Sequence, residues 1–308
     1  MSIVKKIQYN VCFAVLASVV LFSSFLAVAD ESQKTPTVQQ KPLIITTIKP
    51  LAIIAKSAVA DNARVEYLQS AVQSAHEVSL PVSALKKIEQ AELIIWIGDG
   101  FEARIGKPMA LLSEAKRITV MELDLLPADH GDSEKEANKE AHKIKHHHEH
   151  LQFDPHVWLN PANANIVANS IQQRLNLPIF PIIDSAQIEQ LKVELKPYKK
   201  KSYLTHHDAF AHFVTAFELA EGHSIRDASG ASQGARSQYL LRQQASEAAA
   251  SCIFIEPQYA DKDAKVLARE LQLPLKILDP QGFDQPLTDD SYGKFMTGLV
   301  AQFKACFE

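Results

Sequence analysis

The sequence carries no surplus of positive charge: 32 Lys and Arg stand against 36 Asp and Glu, for a formal net charge of −4. That leaves no electrostatic footprint for nucleic acid. Beyond residue 29 no apolar run is long enough to cross a membrane. Long internal repeats are absent, which excludes a solenoid or a propeller. The motifs of common hydrolases are missing too. His76-Glu77 begins like H-E-x-x-H, but Leu80 stands where the second histidine belongs. No G-x-S-x-G stands in the context of a catalytic triad, and there is no nucleotide-binding loop. An enzyme is therefore not expected. Cysteine is scarce, with three residues, one of them Cys12 near the N-terminus.

What is present begins with an export signal. Lys5 and Lys6 precede an apolar run over residues 11–28, and Ala27-Val28-Ala29 ahead of Asp30 reads as a cleavage site after Ala29. The alternative is a membrane anchor, against which stand the A-x-A site and the polar Asp30-Glu31-Ser32-Gln33 that follows. Removing residues 1–29, which hold two lysines and no acid, takes the formal charge from −4 to −6. Residues 30–42 contain Pro36, show no periodicity and read as a disordered leader. Cys252 and Cys306 survive processing. In an oxidising compartment such an isolated pair is most simply a disulfide, the alternative being two buried thiols. As a link it would contribute about 4 kcal/mol in the loop-entropy model and tie the last helix to a core strand.

From residue 43 onward, short β-branched apolar runs alternate with amphipathic stretches. Strands are predicted at residues 43–47, 65–68, 93–97 and 118–121, with helices at 50–60, 82–90 and 102–115 between them. A helix from residue 161 to about 175 follows, then Pro178 and Pro181 interrupt the pattern, which resumes over 185–196. The alternation returns with strands at 202–205, 252–255 and 275–278 and helices at 209–219, 237–250, 261–271 and 292–305. Strands alternating with helices mean parallel sheets with crossovers. The reading is an α/β fold of two Rossmann-like lobes joined by a connecting helix, with a metal site in the cleft. The N-terminal lobe spans residues 43–160 and includes a histidine-rich loop at 129–152; the connecting segment spans 161–197 and the C-terminal lobe 198–308.

That loop concentrates the chemistry. Seven of the twelve histidines fall between His130 and His156, with Asp132, Glu134, Glu136, Glu140, Glu149 and Asp154 among them. No packed core needs such a composition, and neutral imidazole suits Zn²⁺, with Cu, Ni and Co as competitors. His130, His142, His146, His147, His148 and His150 are candidates for weak, auxiliary metal sites. Four residues, one of them closing this run, sit at or beyond strand ends, where ligands bind in such sheets: His76 in SAHEVSLP, His156 in DPHVWLNP, His207 in HHDAF and Asp279 at the end of LKILD. Three imidazoles and a carboxylate are enough for a tetrahedral Zn²⁺ site. Each also has a duller reading: His76 as a loop histidine, His156 as a helix-entry cap, His207 as a structural residue with His206 as the true ligand, and Asp279 as a turn aspartate before Pro280.

The segments LPVSALKKIEQAELIIWIGDGFE, DPHVWLNP, HHDAF, CIFIEPQY and LDPQG together resemble the zinc-binding, ZnuA-like branch of the solute-binding proteins that serve metal ABC transporters, also called the cluster A-I or TroA-like family. The likeness runs from about residue 43 to the C-terminus. It implies a periplasmic protein that captures Zn²⁺ as transported ligand and delivers it to an inner-membrane permease, acting as a monomer. It also implies metal-binding histidines at His76, His156 and His207, an acidic ligand at Asp279, and a cysteine pair at Cys252 and Cys306. Histidine rather than glutamate at position 207 shifts the implied preference from Mn²⁺ toward Zn²⁺. Two departures stand out. Ala75 occupies a position where zinc members often carry Glu, which leaves the fourth ligand open between Asp279, a water and Glu77. The segment between WLNP and HHDAF is short and broken by two prolines, so the connecting helix is expected in two pieces with greater lobe motion. A Mn²⁺ or Fe²⁺ receptor of the same fold, a zinc-dependent hydrolase, and an interaction protein or adhesin whose metal is structural are the rival readings.

Overall fold

The computed structural model describes residues 41–70, 74, 76, 81–128, 154–259 and 262–308. The segment expected to be an export signal, most of the expected leader and Glu77 lie outside the described residues, as do His130, His142, His146, His147, His148 and His150. In chain order the first lobe contains β1 (Leu43–Thr46), α1 (Lys49–Val59), β2 (Arg64–Tyr67), α2 (Val82–Gln90), β3 (Leu93–Trp96), α3 (Gly106–Ala110) and β4 (Arg117–Thr119). Its strands are all parallel, in the order β2-β1-β3-β4. β3 reads LIIW with all four residues buried, as expected of a strand covered on both faces.

Two helices follow, α4 (Pro161–Arg174) and α5 (Ser185–Leu195). α4 begins where the Asn160 side chain accepts from the Ala162 N–H and Pro161 presets the first helical φ. α5 is capped by Asp184, which accepts from the Gln187 N–H. The prolines between them separate the connection into two helices, in line with the sequence reading.

The second lobe contains β5 (Leu204–His207), α6 (Ala211–Phe217), β6 (His223–Arg226), α7 (Ala235–Glu247), β7 (Ile253–Ile255), α8 (Lys262–Leu271), β8 (Leu275–Ile277) and α9 (Ser291–Lys304). This sheet is again parallel, in the order β6-β5-β7-β8. Each sheet therefore changes its direction of growth between its first and third strands. Crevices for ligands open at the carboxyl ends of such strands.

Three details differ from the sequence reading. The helix expected over residues 102–115 is α-helical only in α3, with 3-10 turns at Ala103–Ile105 and Glu114–Lys116. A helix begun at residue 102 would hold Pro108 in its interior, where the missing N–H breaks the ladder; beginning at Gly106 keeps it in the first turn. β6 has no counterpart in the reading, because HSIR is short and polar and buries only Ile225. β5 runs on to His207, so this residue ends the strand and does not follow it.

The lobes share one apolar core, which runs from Ile44 and Ile54 through Val167 and Ile171 of α4 to Phe254, Leu299 and Phe303. α9 returns across the molecule to pack on α1 and α5. There the Tyr292 N–H donates to Ser57 Oγ (3.0 Å), and Gln172 Nε2 donates to the Ala58 carbonyl (3.1 Å). At the far end of β7 from the crevice, Cys252 is joined to Cys306 in a disulfide with a Cα separation of 5.6 Å.

Candidate metal centre

The loop that brings His156 into place is a short Asx turn. Asp154 Oδ1 accepts from the His156 backbone N–H at 2.9 Å, with Pro155 fixing the backbone between them. The same oxygen lies 2.7 Å from His156 Nδ1, so one buried carboxylate sets both the backbone and the ring. Trp158, two residues on, packs its ring 5.2 Å from His156 and donates Nε1–H to the Pro280 carbonyl at 2.8 Å. His207 arrives from the second lobe at the tip of β5, with Nδ1 2.5 Å from Glu256 Oε1 at the end of β7. These two strands flank the switch point of the second sheet. His76 arrives from beyond β2. Its backbone N–H donates to Ser74 Oγ, and its ring lies 4.4 Å from Phe101.

The three rings converge. Their centroids lie 5.3 Å apart for His76 and His156, 5.8 Å for His76 and His207, and 5.3 Å for His156 and His207. One ring nitrogen from each lies within 4.8 Å of the others. With both Nδ1 atoms held by carboxylates, the Nε2 atoms of His156 and His207 face one another at 3.4 Å. On a tetrahedral ion with Zn–N bonds of about 2.0–2.1 Å, neighbouring nitrogens sit about 3.3–3.4 Å apart, so the spacing fits. Nε2 of His76 is buried with no hydrogen-bond partner among the described residues. The space between them, lined also by Trp158, Gln258, Tyr259, Pro280 and Gln281, is about 10 Å³, the size of one ion or water-sized body.

The electrostatics favour neutral imidazole facing that space. Burial, with His156 and His207 alongside, holds His76 down at about 2, leaving its lone pair free of protons near neutrality. Burial pushes the Asp154 carboxyl up, but the adjacent His156 ring and its two hydrogen bonds outweigh this and leave it net lowered. A carboxylate so held keeps an acceptor on Nδ1 and raises the basicity of the free nitrogen.

Asp279 does not belong to the cluster of three histidines. Its Oδ1 accepts from the N–H groups of Gln281 (3.0 Å) and Gly282 (3.1 Å), and its Oδ2 from Phe283 (2.5 Å). Three backbone donors turn the carboxylate into the cap of the 279–283 loop. The loop needs glycine at 282: φ is +64°, and a Cβ would meet Ile53 Cδ1 at 2.8 Å.

Residues 44–177 and 185–306 match the model of the zinc-uptake complex component A, periplasmic family, ZnuA. The chain belongs to the ZnuA family. The high-affinity zinc uptake system protein ZnuA of Yersinia pestis is 30% identical over 291 residues, covering 86% of this chain and 91% of that protein. Its counterpart in Haemophilus ducreyi is 26% identical over 295 residues, covering 85% and 92%. A crystal structure of ZnuA superposes with a TM-score of 0.70 at 20% identity, covering 87% of this chain and all of that one, a likeness of fold.

Within this ZnuA-family fold, sequence reasoning missed the two carboxylates that orient the rings. Asp154 had a signal, lying two residues before His156. Glu256 had only its place at the end of a strand, because its partner is 49 residues away. Phe101, which packs against both His76 and His156, is visible only in three dimensions.

Proposed function

We infer that this chain is the periplasmic, zinc-capturing component of an ABC-type uptake system, which takes Zn²⁺ into the cleft and hands it to an inner-membrane permease. His76, His156 and His207 are the protein ligands. The observation that carries this reading is the 3.4 Å approach of the His156 and His207 Nε2 atoms, each ring oriented by its own carboxylate, beside a buried and unpartnered His76 Nε2. Three nitrogen donors suit Zn²⁺ better than Mn²⁺, which prefers oxygen. Asp279 stands outside the three-histidine group and its oxygens accept from three backbone N–H groups, so the reading leaves it as a loop cap and gives the fourth position to solvent. Family membership and the export signal support the periplasmic location and the permease partner. The ion is cargo, and the chain binds and releases it without catalysis.

The test is metal analysis with calorimetric titration of the wild type against His207→Ala. One tight zinc per chain, lost in the variant while weaker sites in the histidine tract remain, is the expected result. Equal tight binding by both proteins overturns the assignment.

A further inference from the structure

His206 neighbours His207 in β5 and is 1% exposed, yet neither of its ring nitrogens has a hydrogen-bond partner among the described residues. Buried imidazoles ordinarily satisfy their nitrogens, so an orphaned pair asks for a ligand. The ring lies 4.6 Å from that of Tyr259. One nitrogen of His206, one of His207 and a carboxylate oxygen of Glu256 all lie within 4.8 Å of one another, and all three residues are buried. Glu256 approaches Nδ1 of His207, across the ring from the Nε2 that meets His156. Its other oxygen accepts from Gln258 Nε2 at 2.6 Å.

We propose that His206, Glu256 and the Nδ1 edge of His207 form a second metal position, an inner seat beside the three-imidazole centre that accepts Zn²⁺ or Co²⁺. The proposal rests on the zinc reading of that centre. Two imidazoles and a carboxylate are a donor set these ions accept. When an ion enters, the proton held between His207 Nδ1 and Glu256 passes through solvent to His207 Nε2, so the ring stays neutral, the metal–ligand bonds replace the hydrogen bond, and no oxidation state changes. The two positions share one imidazole, and filling both would require His207 to bridge two dications as imidazolate. They are therefore filled in alternation. One ion occupies either the outer centre or the inner seat, and disturbing His76 leaves it a place to go.

The test uses the full chain with the six tract histidines (His130, His142, His146, His147, His148 and His150) changed to Asn. Co²⁺ alone is the probe, followed by visible absorption, with Zn²⁺ then measured by chelator competition. Four proteins are compared: this parent, His76→Ala, and His76→Ala combined with either His206→Gln or His206→Phe. Circular dichroism reports folding, and the polar Gln variant carries the comparison where Phe disturbs the fold. His76→Ala is expected to keep one ion at reduced affinity, and loss of His206 is expected to weaken that residual binding at least tenfold further. Residual binding that is the same with and without His206 overturns the inner seat. A parent that binds no ion overturns the zinc reading itself, which is a separate result.

Discussion

His207 Nδ1 lies 2.5 Å from Glu256 Oε1, which fixes the ring of a strand-end histidine from the neighbouring strand. The pair spans β5 and β7 at the switch point of the second sheet, so the fold presents the opposite nitrogen, Nε2, to the cleft. Asp154 does the same for His156 from within a single turn.

Removing either carboxylate charge should therefore weaken zinc binding without unfolding the protein. Asp154→Asn and Glu256→Gln are each expected to lower affinity about 10–100-fold. Competition against a zinc chelator measures this, and affinities unchanged within threefold contradict it.

Asp279 makes the opposite prediction. Its oxygens serve the N–H groups of residues 281–283, so Asp279→Asn should cost about 1–3 kcal/mol of stability. Zinc affinity is expected to stay within about threefold of the wild type, since the change weakens a loop cap and removes no ligand. Thermal melting with calorimetry separates the two effects; a hundredfold affinity loss makes Asp279 a ligand after all.

His76 and His207 were legible as candidates because each follows or ends a run of strand-forming residues, and His156 because Pro155 and Pro161 stiffen the DPHVWLNP segment around it. Asp279 satisfies the same rule, but the three donors that occupy it come from backbone geometry in a glycine-dependent loop. β6 escaped because its four residues bury only Ile225, too little for a periodic signal, and it is recognisable only through its pairing with β5. The helix at 102–115 failed on Pro108, whose missing N–H is tolerated only in a first turn.

Two buried groups should give the zinc-free protein opposing pH dependences. His76 is held down at about 2 by burial and its histidine neighbours, against an ordinary value of 6.5. Its contribution to stability is full above pH 6.5 and is lost as pH falls toward 2, because the unfolded chain takes up the proton. Glu102, buried and accepting from the Ile97 N–H at 2.7 Å, is pushed up by burial to about 7 from an ordinary 4.5. Its protonated form is favoured in the folded state, so stability declines as pH rises from 4.5 to 7, by at most about 1.4 kcal/mol per pH unit. Relative to the wild type, Glu102→Gln is expected to gain melting temperature from pH 4.5 to 7 and level off above. His76→Gln is expected to gain as pH falls below 6.5. Differences that stay flat across these windows contradict both assignments.

The disulfide sits at the opposite end of β7 from Glu256 and closes a sequence separation of 54 residues. Replacing Cys252 and Cys306 by Ser should cost about 4 kcal/mol in the loop-entropy model, or a melting temperature lower by about 8–15 °C. Zinc affinity should hold within a few-fold, because the strand between the two ends remains paired on both sides. Scanning calorimetry and titration on the double variant decide it, and a lost zinc site would show that the link shapes the cleft.

The most direct test is diffraction from crystals loaded with one equivalent of zinc, with an anomalous difference map at the zinc edge. One strong peak is predicted between the lobes, about 2.0–2.1 Å from a ring nitrogen of each of His76, His156 and His207. A principal peak bonded to fewer than two of these rings, or lying outside the cleft, would contradict the assignment of this centre.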